Sequence, residues 1–481
     1  MSSGSSLRTV CKKKLYECRP SSPGACDLET QSTRRRTRKR PGDPVSLERG
    51  VRQWLADKVQ GNLLGLWLLV PEHLRLGTWD LLCGWTGQPP ERVEPRLALQ
   101  LVHEAVLCTS GFRSDRSLTQ GVGLALANGL PFLASDRAVH ELLAQHTIDE
   151  ALRLQVALGQ IRRASGHFAG RLLAIDPHRV LSYSQRHMRP HASPKASRPA
   201  KVAQTFWVLD ADTHQPVCFT TATASPTVAE ATPPLLDLAA RILGPAAEPA
   251  LVVADAEHCS AELAQEVQRR TRFDLLVPMP NQPAITRALR ALPPEDFCPR
   301  WAGYATLQRP YHMRRGGSYY QFVQRSGERP ADWHFKAFLC TAPRKEVDAL
   351  TRDFPRRWHV EEFFNAHQAL GWKHAGTANL HIRYGQMTLA LLAQAAVHQW
   401  RARLGEPVCG WDADHLAKDL FRGLEGDVRV QGDTLVVTYY RAPNESQLRQ
   451  HYENLPQKLR EEHSNPHVPW LYGLQLDFRF H

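Results

Sequence analysis

Ala250-Leu-Val-Val-Ala-Asp255 is an unbroken apolar run that stops on a carboxylate, and its flanks decide the fold. A short run without polar alternation suits a strand buried on both faces. Residues at helical spacing follow from about Ala261 to Arg270, and Phe273-Asp-Leu-Leu-Val-Pro278 returns as another strand. Upstream, Leu172-Leu-Ala-Ile-Asp176 repeats the pattern of a short apolar run ending in a carboxylate. Between the two runs, after a polar, basic loop from His187 to Lys201, come Thr205-Phe-Trp-Val-Leu-Asp210 and Pro216-Val-Cys-Phe-Thr-Thr221. The turn residues Ala211-Asp-Thr-His-Gln215 separate these, which predicts a hairpin. A helix is expected near Leu235 to Ile242. Hairpin strands first, then alternating strand and helix, place the chain in the α/β class with a central mixed sheet.

Outward from this centre the texture changes twice. Residues 279–347 break the alternation: Tyr319-Tyr-Gln-Phe-Val323 and Trp333-His-Phe-Lys-Ala-Phe-Leu339 lie among basic turns such as Arg314-Arg-Gly-Gly317. They read as a β-rich insertion. One long helix is expected from about Thr351 to Leu370 and a second from about Leu380 to Leu404. A C-terminal hairpin follows, Val428-Arg-Val430 and Thr434-Leu-Val-Val-Thr-Tyr-Tyr440 around Gln431-Gly-Asp433.

Toward the N-terminus, Val45 to about Gly166 is helical in pattern, as Ala98, Leu101, Val102, Ala105 and Val106 illustrate. Ser135 or Asp136 can cap a helix that buries Ala138, Val139, Leu142 and Leu143 and shows Arg137, His140 and Gln145 outward. That arrangement suits a helix-turn-helix reader of DNA, and equally any two packed helices. The first 44 residues read as a disordered basic arm, with Arg34, Arg35, Arg36, Arg38, Lys39 and Arg40 as one block of positive charge. Four regions result: arm 1–44, helical DNA-binding domain 45–166, catalytic domain 167–404 carrying the insertion, and a C-terminal hairpin and helical region 405–481.

The bulk numbers bound the function. Twelve Trp, sixteen Phe and a 42% hydrophobic fraction exclude wholesale disorder. A net charge of +12 suits a polyanionic partner, because Lys and Arg contacts to phosphates release counterions. The ten cysteines form no C-x-x-C pair, so no zinc ribbon is signalled and reduced thiols in a cytoplasmic protein are expected. Leu63 to Val70, the most apolar short run, is far below the roughly 20 residues that span a bilayer.

Asp176 and Asp255 stand just after buried strands, and carboxylates at strand ends gather at one edge of a sheet. Glu361 lies in the helical stretch Arg357-Trp-His-Val-Glu-Glu-Phe-Phe364. Three carboxylates can hold two Mg²⁺ ions, hard cations that prefer oxygen. Two such ions activate the attacking oxygen and stabilise the leaving one in a phosphoryl displacement. Asp210, Asp212 and Asp274 are assigned to turns. His178 and His258 lie near two of the acids, but with 22 histidines and no His or Cys pair at ligand spacing, no zinc site is read there.

Phe354-Pro-Arg-Arg-Trp-His-Val-Glu-Glu-Phe-Phe-Asn-Ala-His-Gln368 resembles the Tyr-x2-Arg-x3-Glu-x6-Lys signature of bacterial insertion-sequence transposases of the insertion-sequence-4-like group. Leu172-Leu-Ala-Ile-Asp176 and Leu251-Val-Val-Ala-Asp-Ala-Glu-His-Cys-Ser260 resemble the segments bearing that group's first and second aspartates. Val208-Leu-Asp-Ala-Asp-Thr-His-Gln-Pro-Val217 resembles its Asp-x-x-Thr-x-x-Pro hairpin. Asp255 follows Asp176 by 79 residues and Glu361 follows Asp255 by 106, with the β insertion before the glutamate. The resemblance covers roughly residues 125 to 400.

It implies a DDE transposase with a ribonuclease-H-like mixed sheet, a β-rich insertion and an all-helical domain in front. By that resemblance Asp176, Asp255 and Glu361 are the catalytic metal ligands and Arg357 contacts DNA phosphate. The ions are two Mg²⁺, with Mn²⁺ able to substitute. The partners implied are double-stranded DNA, as terminal inverted repeats and target, and a second copy of the chain; no membrane is involved. The reaction is hydrolysis at element ends followed by strand transfer. Phe354 departs from the signature tyrosine and Gln368 from its lysine. Gln368 falls about two turns beyond Glu361 and can reach DNA without bringing charge. The competing readings are a metal-dependent nuclease that cuts without joining, and a catalytically silent DNA-binding derivative of a transposase.

Overall fold

The computed structural model describes residues 44–481 apart from 62, 110–120, 183–199, 223–225, 271, 314–315 and 374–375. The basic block Arg34 to Arg40 lies outside the described residues. A short strand β1 (Val59–Gly61) comes first in the chain. The centre is a nine-stranded sheet of β2 (Leu172–Leu181), β3 (Val202–Asp210), β4 (Gln215–Ala222), β5 (Ala250–Val253), β6 (Phe273–Pro278), β7 (Cys298–Trp301), β8 (Tyr304–His312), β9 (Ser318–Ser326) and β10 (His334–Cys340). Its order is β4-β3-β2-β5-β6-β10-β9-β8-β7. The second sheet joins β1 to β11 (Gly426–Gln431), β12 (Thr434–Tyr439), β13 (His467–Val468) and β14 (Leu474–Phe480), in the order β1-β11-β12-β14-β13.

The first five strands of the large sheet have the ribonuclease-H-like plan. β3 runs antiparallel to both β2 and β4. β5 pairs parallel with β2, and β6 parallel with β5. β10 then adds antiparallel to β6, so the insertion β7–β10 extends the sheet instead of forming a separate layer. β3 and β5 are buried throughout, as strands covered on both faces must be.

The two-residue period of a strand divides the core. Leu172 and Ala174 of β2 join Leu251 and Val253 of β5 in one apolar cluster, together with the helix Leu380–Leu404. Leu173 and Ile175 join Val252 in the other, together with the helix Val228–Leu243. The Leu380–Leu404 helix is buried along most of its length, consistent with its apolar, uncharged middle. Two of its polar groups are tied to the sheet: Arg383 Nη2 donates to Thr205 Oγ1 at 2.8 Å and Gln394 Nε2 to Gln215 Oε1 at 3.1 Å.

Two expectations are corrected. β2 does not stop at Asp176 but runs to Leu181, because His178 to Leu181 continue to pair with β3. The stretch from Thr351 to Leu370 is not one regular helix. A widened turn over Ala349–Asp353 passes into 3₁₀ turns at Phe354–Trp358, then an α-helix His359–His367, then a 3₁₀ turn Gln368–Leu370. Pro355 is the physical reason: it has no N–H to bond back along the helix and its ring crowds the carbonyl of the preceding turn.

The N-terminal region is helical as predicted, with β1 as a short strand within it. Ser135 caps the helix Asp136–Gln145 by accepting from Ala138 N, and Val139, Leu142 and Leu143 face inward. On the outer side Arg137 is paired with Glu141 at 2.7 Å. The C-terminal sheet is tied to this region by more than β1. Tyr439 Oη donates to Leu64 O at 2.8 Å, Tyr452 Oη to Leu68 O at 2.6 Å and Trp470 Nε1 to Ala127 O at 3.0 Å. Among the described residues no helix is long and apolar enough to cross a membrane.

Candidate active site

The period that divides the core also aims the acids. Asp176 shares its face of β2 with Leu172 and Ala174. Ala174 pairs with Val253 in the parallel β2–β5 register, so Asp176 and Asp255 both lie two residues beyond that last couple. The helix His359–His367 packs on the same side through Val360, Phe363 and Phe364. Glu361 in its first turn therefore faces the sheet edge that carries the two aspartates.

Arg357, on the 3₁₀ turn before that helix, connects them. Its Nη1 lies 3.6 Å from Asp176 Oδ1 and its Nη2 3.3 Å from Glu361 Oε1. The Arg357 to Glu361 spacing of one helical turn makes the second contact possible. Asp255 is held differently: its Oδ1 accepts from the Glu257 backbone N–H at 3.1 Å and from His258 Nδ1 at 2.7 Å.

These settings push the two aspartates apart. Burial raises Asp176 to about 7, and the charges of Asp255 and Glu361 push the same way, against Arg357 and Arg179. Asp255 is lowered: burial opposes ionisation there, but the hydrogen bond and charge of His258, the Glu257 N–H and Arg357 outweigh it. Asp176, which burial first and then two neighbouring acids push toward its neutral form, sits in a cluster of three carboxyl groups. An all-oxygen donor set of this kind fits hard divalent cations, and Asp176, Asp255 and Glu361 could hold them. The three carboxylates are not drawn within 4.8 Å of one another, and Arg357 contacts two of them.

The other residues singled out in the sequence fall as follows. Gln368 sits past the end of the helix, where its carbonyl accepts from the N–H of Trp372 and of Lys373, each at 3.0 Å. Among the described residues no hydrogen bond or ion pair joins its side chain to the acids. Phe354 packs edge-to-face on Phe338, ring centroids 4.8 Å apart. His178 stacks on Phe364 at 4.2 Å, and His258 serves Asp255. Asp210 is a turn residue as expected, its Oδ1 accepting from Asp212 N and Thr213 N at 3.0 Å each. Asp212 lies in the same turn and is ion-paired with Arg171 and Arg356, whereas Asp274 lies in β6, paired with Arg344. Sequence reasoning passed over two features. Arg179 grips Glu257 with both nitrogens, at 3.2 and 2.6 Å, beside the acids. Trp358 is 56% exposed with the Arg357 guanidinium 5.0 Å from its ring, and its signal was an aromatic next to that arginine.

A ribonuclease-H-like sheet with two aspartates at one edge and a glutamate on the helix packed against it defines a class of metal-dependent nucleic-acid enzymes. Residues 168–395 match the family model described as the transposase DDE domain. The chain thus carries a transposase DDE domain and is, by that domain, an enzyme acting on DNA, a DNA transposase. Domains of this family work with divalent metal ions. Among solved structures, the piggyBac transposase synaptic complex with hairpin DNA, determined by cryo-electron microscopy, is similar at a TM-score of 0.40 and 11% identity. That alignment covers 84% of this chain and 86% of the other. No curated protein matches the chain.

Proposed function

We propose that this chain is the transposase of an insertion sequence of the insertion-sequence-4-like bacterial group. It binds the terminal inverted repeats of its element as a homodimer, cleaves the ends and joins them to target DNA. Asp176, Asp255 and Glu361 would hold two Mg²⁺ ions, or Mn²⁺ in their place, and such ions would supply the Lewis acidity that a phosphoryl displacement needs. The observation that carries this reading is the placing of the three acids at one sheet edge, where burial first, and then the charges of Asp255 and Glu361, raise Asp176 to about 7.

The chain's own residues then divide the remaining work. Arg357 neutralises Asp176 and Glu361 in the absence of metal and is free to turn to a DNA phosphate when cations take over that role. His258 and the Glu257 N–H keep Asp255 ionised. Trp358 presents an open ring on which a base can stack. Gln368 offers a hydrogen bond to the backbone, and Arg34, Arg35, Arg36, Arg38, Lys39 and Arg40 supply counterion-releasing charge. The cytoplasmic nucleoid is the compartment where such a substrate is found.

Excision of a marker flanked by the native borders tests the reading, with wild type, Asp255→Ala and Glu361→Ala compared. Excision by wild type alone is expected. Cutting without rejoining would leave a nuclease, and binding of the ends without any cutting would leave a silent DNA-binding derivative.

A further inference from the structure

We propose that His214, His359 and Glu362 form a binding site for one transition-metal dication of the zinc class, separate from the three acids. One nitrogen or oxygen from each of the three lies within 4.8 Å of the others, and among the described residues this is the one His/Cys/Asp/Glu group so gathered. His359 and Glu362 are three apart on the helix His359–His367 and so project from one side of it. His214 comes from the turn between β3 and β4, its ring 3.8 Å centroid to centroid from that of His359.

The second observation concerns which nitrogen is available. His359 Nδ1 lies 2.7 Å from the Ala211 carbonyl oxygen, which can only accept, so Nδ1 carries the proton and Nε2 keeps its lone pair. A carbonyl that fixes a histidine's tautomer and ring angle is the usual outer support of a metal-bound imidazole. The His214 backbone is also committed: φ is +58°, a left-handed conformation uncommon for a residue with a side chain. Arg356 stands nearby and is ion-paired with Asp212, which Arg171 shares. Two imidazoles and one carboxylate select zinc, cobalt or nickel over magnesium, and three protein ligands leave a tetrahedral position for water. The bound ion would clip the β3–β4 turn to the helix one residue away from Glu361.

The test uses the full-length chain stripped with chelator, then titrated with Zn²⁺ against a coloured indicator and with Co²⁺ by its visible absorption. His214→Asn keeps a residue that tolerates the left-handed backbone, and Glu362→Gln is nearly isosteric and exposed, so both should fold. Wild type is expected to take up one more Zn²⁺ per chain than either variant, or to bind that ion at least about tenfold more tightly. The Asp255→Ala protein should retain this ion. Equal uptake and affinity in wild type and both variants would overturn the proposal. So would loss of the ion in Asp255→Ala alone, which would put it on the catalytic acids. Because binding is read without DNA, the outcome is independent of whether the chain cuts.

Discussion

Two clusters of charge in this molecule are built from similar parts and end in opposite states. Near the junction of the N-terminal helices and the C-terminal sheet, fully buried Glu72 accepts from Arg75 at 2.6 Å and lies 3.5 Å from Arg403. The same two arginines reach Glu462 at 2.6 and 2.7 Å. Two acids and two guanidiniums alternate in a closed ring. Burial still raises Glu72, but Arg75 and Arg403 oppose it, and they hold Glu462 low despite its own burial. At the sheet edge, the three acids are contacted by one guanidinium and one imidazole, Arg179 nearby is committed to Glu257, and burial with the neighbouring acids drives Asp176 up to about 7. A buried cluster that balances holds structure together. One left short of cations is prepared for a ligand that supplies them, and the difference marks the functional site more sharply than burial does.

The comparison can be broken most forcefully at the acids. Asp255→Ala or Glu361→Ala should lower DNA cleavage by at least roughly a thousandfold, since the metals carry several kcal/mol of barrier reduction. Chemical denaturation of the same variants should show stability close to wild type. Arg75→Ala should do the reverse. Leaving Glu72 buried without its nearest cation is expected to cost about 3 kcal/mol in a urea titration, while cleavage per folded molecule stays unchanged.

Asp176→Asn probes the imbalance itself. A carboxyl whose folded pKa is raised favours the folded state in its protonated form. Its stabilisation is complete below about pH 4 and is lost as pH climbs through about 7. In chelator at pH 8, Asp176→Asn should therefore be more stable than wild type by about 1–2 kcal/mol, an advantage that vanishes near pH 4. Thermal melts across that range would show it. The smallest effect belongs to Gln368→Lys, which restores a positive charge past the helix end. It should tighten binding to the element ends only severalfold and steepen the salt dependence by about one counterion.

Much of this arrangement was legible in the residues. The runs at Leu172 and Ala250 are apolar without interruption because they are covered on both faces, so the strands and the acids that end the runs could be read directly, although β2 itself continues past Asp176. Hairpin β3–β4 announced itself through Ala211-Asp-Thr-His-Gln215. The Leu380–Leu404 helix was found to its ends, since Asn379 caps it and Gly405 closes it. Other features depend on partners far along the chain. β1 is three residues of ordinary composition that become a strand only beside β11. His214 and His359 carry no local spacing signal, and a turn packed on a helix brings them together. The break at Pro355 was readable in principle, but the helical spacing on either side masked it.

The account stands on the claim that Asp176, Asp255 and Glu361 bind divalent metal together. Fe²⁺ substituted into the protein, with peroxide and ascorbate, cuts the polypeptide chain wherever the ion is held. The account predicts scission around residues 176 and 255, suppressed by excess Mg²⁺ and lost in Asp255→Ala, while any ion on His214, His359 and Glu362 adds cuts only near 214 and 360. Scission confined to the neighbourhood of 214 and 359, or insensitive to Mg²⁺, would contradict it.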